Sequence, residues 1–385
     1  MPKKLDVALL VHTATAWGYQ ILEGVARYAK KQDCWRILHE PGRGAHEVLR
    51  LPDDWNVDGV LTQLHDPYTF EHVAERNVPI VNMTSILLDK AAAIPRVCED
   101  VAGMGTMAAD YFADLGFKNF AYYGSFRNRF YTSLRDAFGK VVKEKRGNFS
   151  CHPLLEQRQG ARKRSRDKMG LKEWLTSLPK PVGILAWKSY SAVELSEACR
   201  ELDILIPEQV AILIVGAPDN SLYEILDPPV SNVVVDAATI GYQSALLLDR
   251  LMQQRNSDHA EPVLVPPVRV EVRTSTDTLA IENEHVAKAV SYIRDHALEP
   301  ITVADVLSHV SISRPRIEIL FRQHLHRSPA EEIRRVRLVR AEELLRETNL
   351  SIPEVAEASG FTSPEYLARV FKASKGVTPL RYRKS

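Results

Sequence analysis

The chain of 385 residues carries 50 lysines and arginines against 49 aspartates and glutamates, is 45% hydrophobic and 26% charged, and holds four cysteines. At roughly 100 to 200 residues per domain this length predicts two or three domains, and the composition excludes a disordered chain, a collagen and a disulfide-stapled miniprotein. Cys34, Cys98, Cys151 and Cys199 lie far apart with no histidine at ligand spacing, so neither a metal site nor a disulfide framework is expected and a reducing cytoplasm fits best.

Lys3 and Lys4 precede an apolar stretch that imitates a secretory leader, but Asp6 and His12 bracket only Val7 to Val11. That is shorter than the roughly 7 to 15 residues a leader's apolar region needs, so the stretch is read as a buried first strand. Tyr19 to Lys30 follows as a helix burying Ile21, Leu22, Val25 and Tyr28. Gly59 to Thr62 and Pro79 to Asn82 are further strands. Val101 to Leu115 is a helix closed by Gly116. Phe120 to Tyr123, Gly183 to Ala186 and Val210 to Val215 continue the strands, with helices over Phe130 to Lys145, Ser191 to Asp203 and Asp236 to Gln254. No run approaches the roughly 18 to 20 apolar residues of a membrane span, so no membrane partner is expected.

Strands alternating with amphipathic helices predict an α/β domain over residues 1–272. The break at Gly116 divides it into two similar lobes, and the helix from Asp236 is long enough to return to the first. Such a domain takes its ligand between the lobes, in loops at the carboxyl ends of strands. The candidate ligand-binding residues are Trp17, Asp66, Glu99, Asp100, Arg129, Phe130, Trp187, Asp219 and Asn220. Aromatic rings in this set could stack on a sugar while the acids, amides and arginines bond its hydroxyls. The alternative for each is packing or helix capping. No Gly-rich phosphate loop, dinucleotide fingerprint or nucleophile elbow occurs, so binding is expected and catalysis is not.

The stretches Leu202-Asp-Ile-Leu-Ile-Pro-Glu-Gln-Val210, Asp227-Pro-Pro-Val-Ser-Asn-Val233 and Gly241-Tyr-Gln-Ser-Ala-Leu-Leu-Leu-Asp-Arg-Leu251 resemble the effector domain of LacI-type regulators and periplasmic sugar-binding proteins. Val265-Pro-Pro-Val-Arg with Arg273-Thr-Ser-Thr-Asp277 is similar to regulators of xylose operons. The resemblance implies a periplasmic-binding-protein-like fold and a sugar effector, xylose by default. The cleft departs from that pattern. Leu134 is followed by Arg135 where an earlier arginine is usual, an aspartate is missing near Trp187-Lys188-Ser189, and the loop from Val215 to Asn220 is one residue longer. Arg127, Arg129 and Lys188 leave an acidic sugar open as an alternative effector.

A polar segment without a clear period, residues 273–284, is read as a linker, and residues 285–385 as an all-α domain. From Asn283 to Ser385 there are 17 lysines and arginines against 13 acids, net +4, leaving net -3 for the rest; 13 of the 17 cations are arginine, the residue suited to phosphate and guanine. A repeat at an offset of 49 to 50 residues relates Thr302–Arg322 to Ser351–Lys372. Each copy has the grammar of a helix-turn-helix, over about 302–325 and 351–374. Thr302 with Asp305 and Ser351 with Glu354 start the first helices, and Ser313 and Ser363 cap the second ones near Pro315 and Pro364. Gly360 supplies the positive φ of an interhelical turn; the first copy has Ser311 there, so its turn is expected to differ.

Ile317, Leu320 and Phe321, like Leu367, Val370 and Phe371, mark the core face of each second helix. The outward residues are the candidate DNA readers: Ser313, Arg314, Arg316 and Arg322 in one copy, and Thr362, Ser363, Glu365, Tyr366, Arg369 and Lys372 in the other. Early positions suit base edges, and Arg322, Arg369 and Lys372 suit phosphate. Between the copies Ala330 to Glu347 forms a rod of about 25 Å, able to set two recognition helices about one DNA turn, roughly 34 Å, apart. Both units, with Arg337-Leu338-x-x-Ala341-x-x-Leu344-Leu345 between them and the tail Gly376 to Arg383, resemble the AraC family DNA-binding domain. That resemblance implies double-stranded DNA as partner, a homodimer on DNA, activation through RNA polymerase and no cofactor. The rival classes are a periplasmic solute-binding protein and a carbohydrate enzyme, for which Glu99 and Asp100 are the adjacent acid candidates.

Overall fold

The computed structural model describes residues 4–13, 15–39, 48–86, 89–124, 129–153, 161–187, 189–215, 220–253, 261–278, 280–281 and 283–383. The chain forms two compact units. One comprises residues up to Leu202 together with Ala211–Asp277; the other comprises Asp203–Val210 together with Thr278 onward.

The first lobe of the α/β unit contains β1 (Leu5–Leu10), α1 (Ala16–Gln32), β2 (Trp35–His39), β3 (Gly59–Thr62), α2 (Pro67–Ala74) and β4 (Ile80–Asn82), in the sheet order β2-β1-β3-β4. Every pair is parallel, and β1 is buried throughout from Val7, as a strand covered on both faces must be. After β5 (Val97–Glu99) the chain enters the second lobe through α3 (Val101–Asp114), β6 (Asn119–Gly124), α4 (Arg129–Glu144), β7 (Asn148–Pro153), α5 (Ala161–Ser177), β8 (Val182–Trp187), α6 (Ser189–Glu201), β9 (Val210–Val215), α7 (Asn220–Ile225) and β10 (Ser231–Val235).

Helix α8 (Ala237–Gln253) then returns to the first lobe, as its length suggests. It lies so close to α1 that a Cβ on Gly24 would meet the Ala238 carbonyl oxygen at 1.9 Å and one on Gly241 the Ile21 carbonyl oxygen at 2.2 Å. The Tyr28 hydroxyl closes the contact by donating to Asp249 over 2.9 Å. Strand β11 (Val263–Val265) pairs with β5 in the first lobe. Strand β12 (Pro267–Glu271) runs antiparallel to β10 and completes the second sheet, ordered β12-β10-β9-β8-β6-β7. The chain thus passes between lobes three times, after Glu99, Val235 and Val265. The Asp100 N–H donates to the Val265 carbonyl over 2.8 Å where two of the passages meet.

Residues 273–277, expected to open the linker, are instead fixed in the second lobe. Ser275 and Thr276 are buried. The Ser275 hydroxyl donates to the Ile212 carbonyl at 2.6 Å and accepts from the Ser231 N–H at 2.9 Å, and Thr276 bonds the hydroxyls of Ser231 and Tyr111 at 2.7 and 2.8 Å. A polar run without period is here an internal hydrogen-bond network and not a solvated tether.

The helical unit contains α9 (Glu284–His296), α10 (Val303–Val310), α11 (Arg314–Leu325), α12 (Pro329–Glu347), α13 (Ile352–Ala358), α14 (Pro364–Lys375) and α15 (Pro379–Arg383). It has two cores. Ile293, Val306, Ile317, Leu320, Phe321 and Ile333 belong to the first; Ala341, Leu345, Val355, Phe361, Leu367 and Phe371 belong to the second. The segment Asp203–Val210, sequentially between α6 and β9, is part of this unit. Glu208 is fully buried there and bonds Arg294 of α9 at 2.5 and 3.1 Å, while the same guanidinium reaches the Ile206 carbonyl at 3.0 Å. Burial outweighs the Arg294 charge and pushes the Glu208 carboxyl above its ordinary pKa.

Candidate nucleic-acid interface and ligand cleft

Both helix-turn-helix units begin with side chains that satisfy the free N–H groups of a helix start. The Asp305 carboxylate accepts from the Thr302 N–H and hydroxyl, each at 2.7 Å. Ser351 and Glu354 form a reciprocal capping box, and a third box, Ser328 with Glu331, starts α12. These bonds hold all three carboxyls below the usual carboxylate range. The Thr302 hydroxyl and then its N–H do so for Asp305, the Ser328 N–H and then its hydroxyl for Glu331, and the Ser351 hydroxyl and then its N–H for Glu354.

The two turns differ, as expected, although each carries one left-handed residue: Ser311 itself caps α10, whereas α13 is capped by Ser359 at φ -105° and Gly360 follows it. Ser311 has φ 52° and Gly360 φ 75°, so serine occupies the left-handed conformation at a cost glycine avoids. The second helices differ at their caps. The Ser363 hydroxyl accepts from the Tyr366 N–H at 3.1 Å, whereas Ser313 sits in the cap position of α11 without a capping bond from its side chain.

On α11, Ile317, Leu320, Phe321 and Leu325 are buried while Ser313, Arg314, Arg316 and Arg322 are exposed. On α14, Leu367 and Phe371 are buried while Glu365, Arg369 and Lys372 are exposed, as is Thr362 just before the helix. Each helix therefore presents one polar, largely cationic face. Tyr366 is only half exposed. Its ring meets Phe361 edge-on at 5.8 Å and underlies the Arg369 guanidinium at 5.2 Å, so it positions that arginine. Sequence reasoning missed the buried Glu332, which bonds Arg327 and Arg335 on the first turn of α12; the Glu332/Arg335 spacing of three was its available signal.

In the α/β unit, polar residues gather at the carboxyl ends of the first-lobe strands. The His12 N–H after β1 donates to Gln63 Oε1 after β3 at 3.0 Å, and the His12 and His65 rings lie 5.1 Å apart. Asn82 Oδ1 accepts from the N–H groups of Leu64 and Thr84 at 3.1 and 3.2 Å. The Ser85 hydroxyl donates to the Glu99 carboxylate. The Trp17 side chain, buried at the start of α1, stands beside the same carboxylate. Burial raises the Glu99 carboxyl above its ordinary range, opposed by Ser85, its own backbone N–H and Trp17. Ser85 escaped the sequence reading, because a lone serine after a strand carries no periodic signal.

Two of the candidate acids have structural work. Asp66 caps α2, accepting from the Thr69 N–H and hydroxyl at 2.8 and 2.6 Å. Asp100 caps α3 through the Gly103 N–H at 2.8 Å. Trp187 ends β8 and is half-buried. Arg129 and Phe130 open α4 and Asn220 opens α7, while Asp219, Arg127 and Lys188 lie outside the described residues. The geometry pairs Trp17 with Glu99 and, separately, His12 with His65, and at Glu99 it can offer a sugar hydroxyl a strong acceptor beside an aromatic side chain. Among the described residues no three His, Cys, Asp or Glu side chains are grouped to hold a metal ion, and no described helix is long and apolar enough to cross a membrane.

Comparison with known proteins matches residues 109–276 to a periplasmic binding protein-like domain and residues 306–385 to a helix-turn-helix domain. The chain is 30% identical over 389 residues to the xylose operon regulatory protein of Escherichia coli, covering 99% of this chain and 97% of that one. It is 28% identical over 387 residues to the protein of the same description from Haemophilus influenzae, covering 98% and 97%. A solved structure of a xylose-binding transcription activator matches with a TM-score of 0.82 at 29% identity, covering 100% of this chain and 98% of that one.

Proposed function

The chain belongs to the family of xylose operon regulatory proteins, and on that premise we propose that it binds xylose between the lobes of its α/β unit and activates transcription by holding DNA with α11 and α14. It is a sugar-responsive, DNA-binding transcription regulator. The observation that carries the reading of the DNA side is the pair of recognition helices, each with a packed apolar face and an exposed cationic one, on a common α12. Helices of this kind enter the major groove by their N-terminal ends. Arg314 and Arg316 suit guanine O6 and N7, Glu365 suits the cytosine amine, and Arg322, Arg369 and Lys372 suit phosphate.

On the sugar side, Glu99 supplies a buried acceptor and Trp17 a flat apolar surface. A second carboxylate in the ligand would face Glu99 unfavourably, which favours a neutral sugar over a sugar acid. The protein acts by binding and not by turnover, on DNA as a homodimer that engages RNA polymerase in the cytoplasm. Fluorescence anisotropy of the full chain on promoter DNA, with and without xylose, tests the whole reading. Xylose is expected to change the affinity, and affinity is expected to fall steeply between about 50 and 200 mM salt. A response to neither sugar nor salt overturns it.

A further inference from the structure

The two cores of the helical unit share no residue. Helix α12 gives Ile333 and Val336 to the first and Leu338, Ala341, Leu344 and Leu345 to the second. At the boundary between these sets stands Arg337, 9% exposed. Its Nε donates to the Ala297 carbonyl at 2.6 Å, and its Nη2 donates to the carbonyls of Glu299 and Ile301 at 2.9 and 3.4 Å. These oxygens belong to the turn leaving α9, where carbonyls lack helical partners and the helix dipole favours a cation. A guanidinium suits the task because its planar fork addresses several acceptors at once, which an ammonium cannot do in the same geometry.

The second unit reaches the same turn from another side. A Cβ on Gly360 would stand 2.7 Å from the Ala297 carbonyl oxygen and 2.9 Å from Leu298 Cα. The interhelical turn of the second helix-turn-helix therefore lies directly on the backbone that Arg337 holds. Residues 297–301 thus touch the first core, the rod and the second unit. A rod alone fixes a separation. A third contact off its axis also fixes how each unit is docked on it.

We infer that Arg337 is a positioning residue for DNA recognition: by clamping the turn at 297–301 against which Gly360 rests, it fixes the mutual orientation of α11 and α14 and makes the protein selective for the spacing of its two major-groove contacts. This inference rests on the DNA-binding role of those helices, and the test separates the two.

The probe is a duplex selected by the full-length protein, with xylose, from a random library, together with a version carrying about half a helical turn, roughly five base pairs, inserted between the two contact regions. The wild-type chain is expected to bind the inserted duplex at least about tenfold more weakly, a difference of about 1.4 kcal/mol. Arg337→Met keeps the buried stem and removes the fork; its ratio of affinities for the two duplexes is expected to fall towards one, with Arg337→Lys between it and wild type. Equal weakening on both duplexes, or an unchanged ratio in folded Arg337→Met, overturns the inference while leaving the DNA-binding reading intact. Should Arg337→Met fail to fold, the ratio is read on Arg337→Lys, where an unchanged value overturns the inference equally. Failure of the wild-type chain to select any duplex would instead overturn the DNA-binding reading.

Discussion

Arg314, Arg316, Arg322, Arg369 and Lys372 are all exposed cations, but their places on the helices give them different expected phenotypes. Alanine at Arg314 or Arg316, in the first turn of α11, is expected to cost about 1 to 3 kcal/mol on the best site and to relax preference at one base pair. Alanine at Arg322, Arg369 or Lys372 is expected to weaken all sequences alike and to lower the salt slope by about one. Binding titrations on specific and scrambled duplexes at several salt concentrations distinguish the two. In the cleft, Glu99→Gln keeps the shape and removes the charged acceptor. A hydrogen bond to a charged group contributes about 1.5 to 3 kcal/mol, so calorimetry on xylose is expected to show a loss of that size with DNA affinity unchanged in the absence of sugar. Asp66 and Asp100 show what the residue scale conceals in a sequence: a carboxylate after a strand looks the same whether it awaits a ligand or caps the next helix, and here both bond the helix ahead of them. Arg337 stood in the sequence only as part of the pattern Arg337-Leu338-x-x-Ala341, and nothing local marks it, among many arginines of the rod, as the buried one.

At the scale of elements, the helix-turn-helix pair was legible because its signals are local and occur twice. Caps, turn residues and apolar spacing each restrict a few neighbouring dihedrals, and α10 to α14 form where those signals stand. Strands β2, β5, β7, β10, β11 and β12 were not among the expected elements. Several are three to five residues long, too short for periodicity to register, and they are fixed by neighbours distant in sequence, as β11 is by β5. Helix α5 was missed for the opposite reason, since Arg162-Lys-Arg-Ser-Arg-Asp-Lys168 shows charge without an apolar stripe. The left-handed serine yields a prediction at this scale. Ser311→Gly removes a strained side chain at φ 52°, so it is expected to stabilise the first unit by about 1 kcal/mol, readable as a raised denaturant midpoint. Unchanged or lowered stability would show that the serine has a compensating partner.

At the scale of the whole molecule, the helix starts of the DNA-binding unit contribute to acid stability. Asp305, Glu331 and Glu354 all have depressed carboxyl pKa values in the fold. Such groups stabilise the folded state fully above their unfolded values, about 3.9 for Asp and 4.3 for Glu, and that contribution disappears as pH falls through the lower folded values. Circular dichroism of the helical transition is therefore expected to show melting temperature level near neutrality and declining below about pH 4. Replacing all three acids by their amides should make the decline shallower, the lowered carboxyls of Glu284 and Glu365 supplying what remains. The buried bond between Glu208 and Arg294 bears on how this protein can be dissected. Cutting the chain at Thr278 looks like a clean way to isolate the DNA reader, yet Glu208 would remain with the other piece. A fragment of residues 278–385 would lose both the Glu208 carboxylate and the Ile206 carbonyl that fix the Arg294 guanidinium, and the face of α9 they cover would turn to water. Such a fragment is expected to melt well below the same helices in the intact polypeptide, so weak DNA binding by it would report a missing piece of scaffold and not a missing signal.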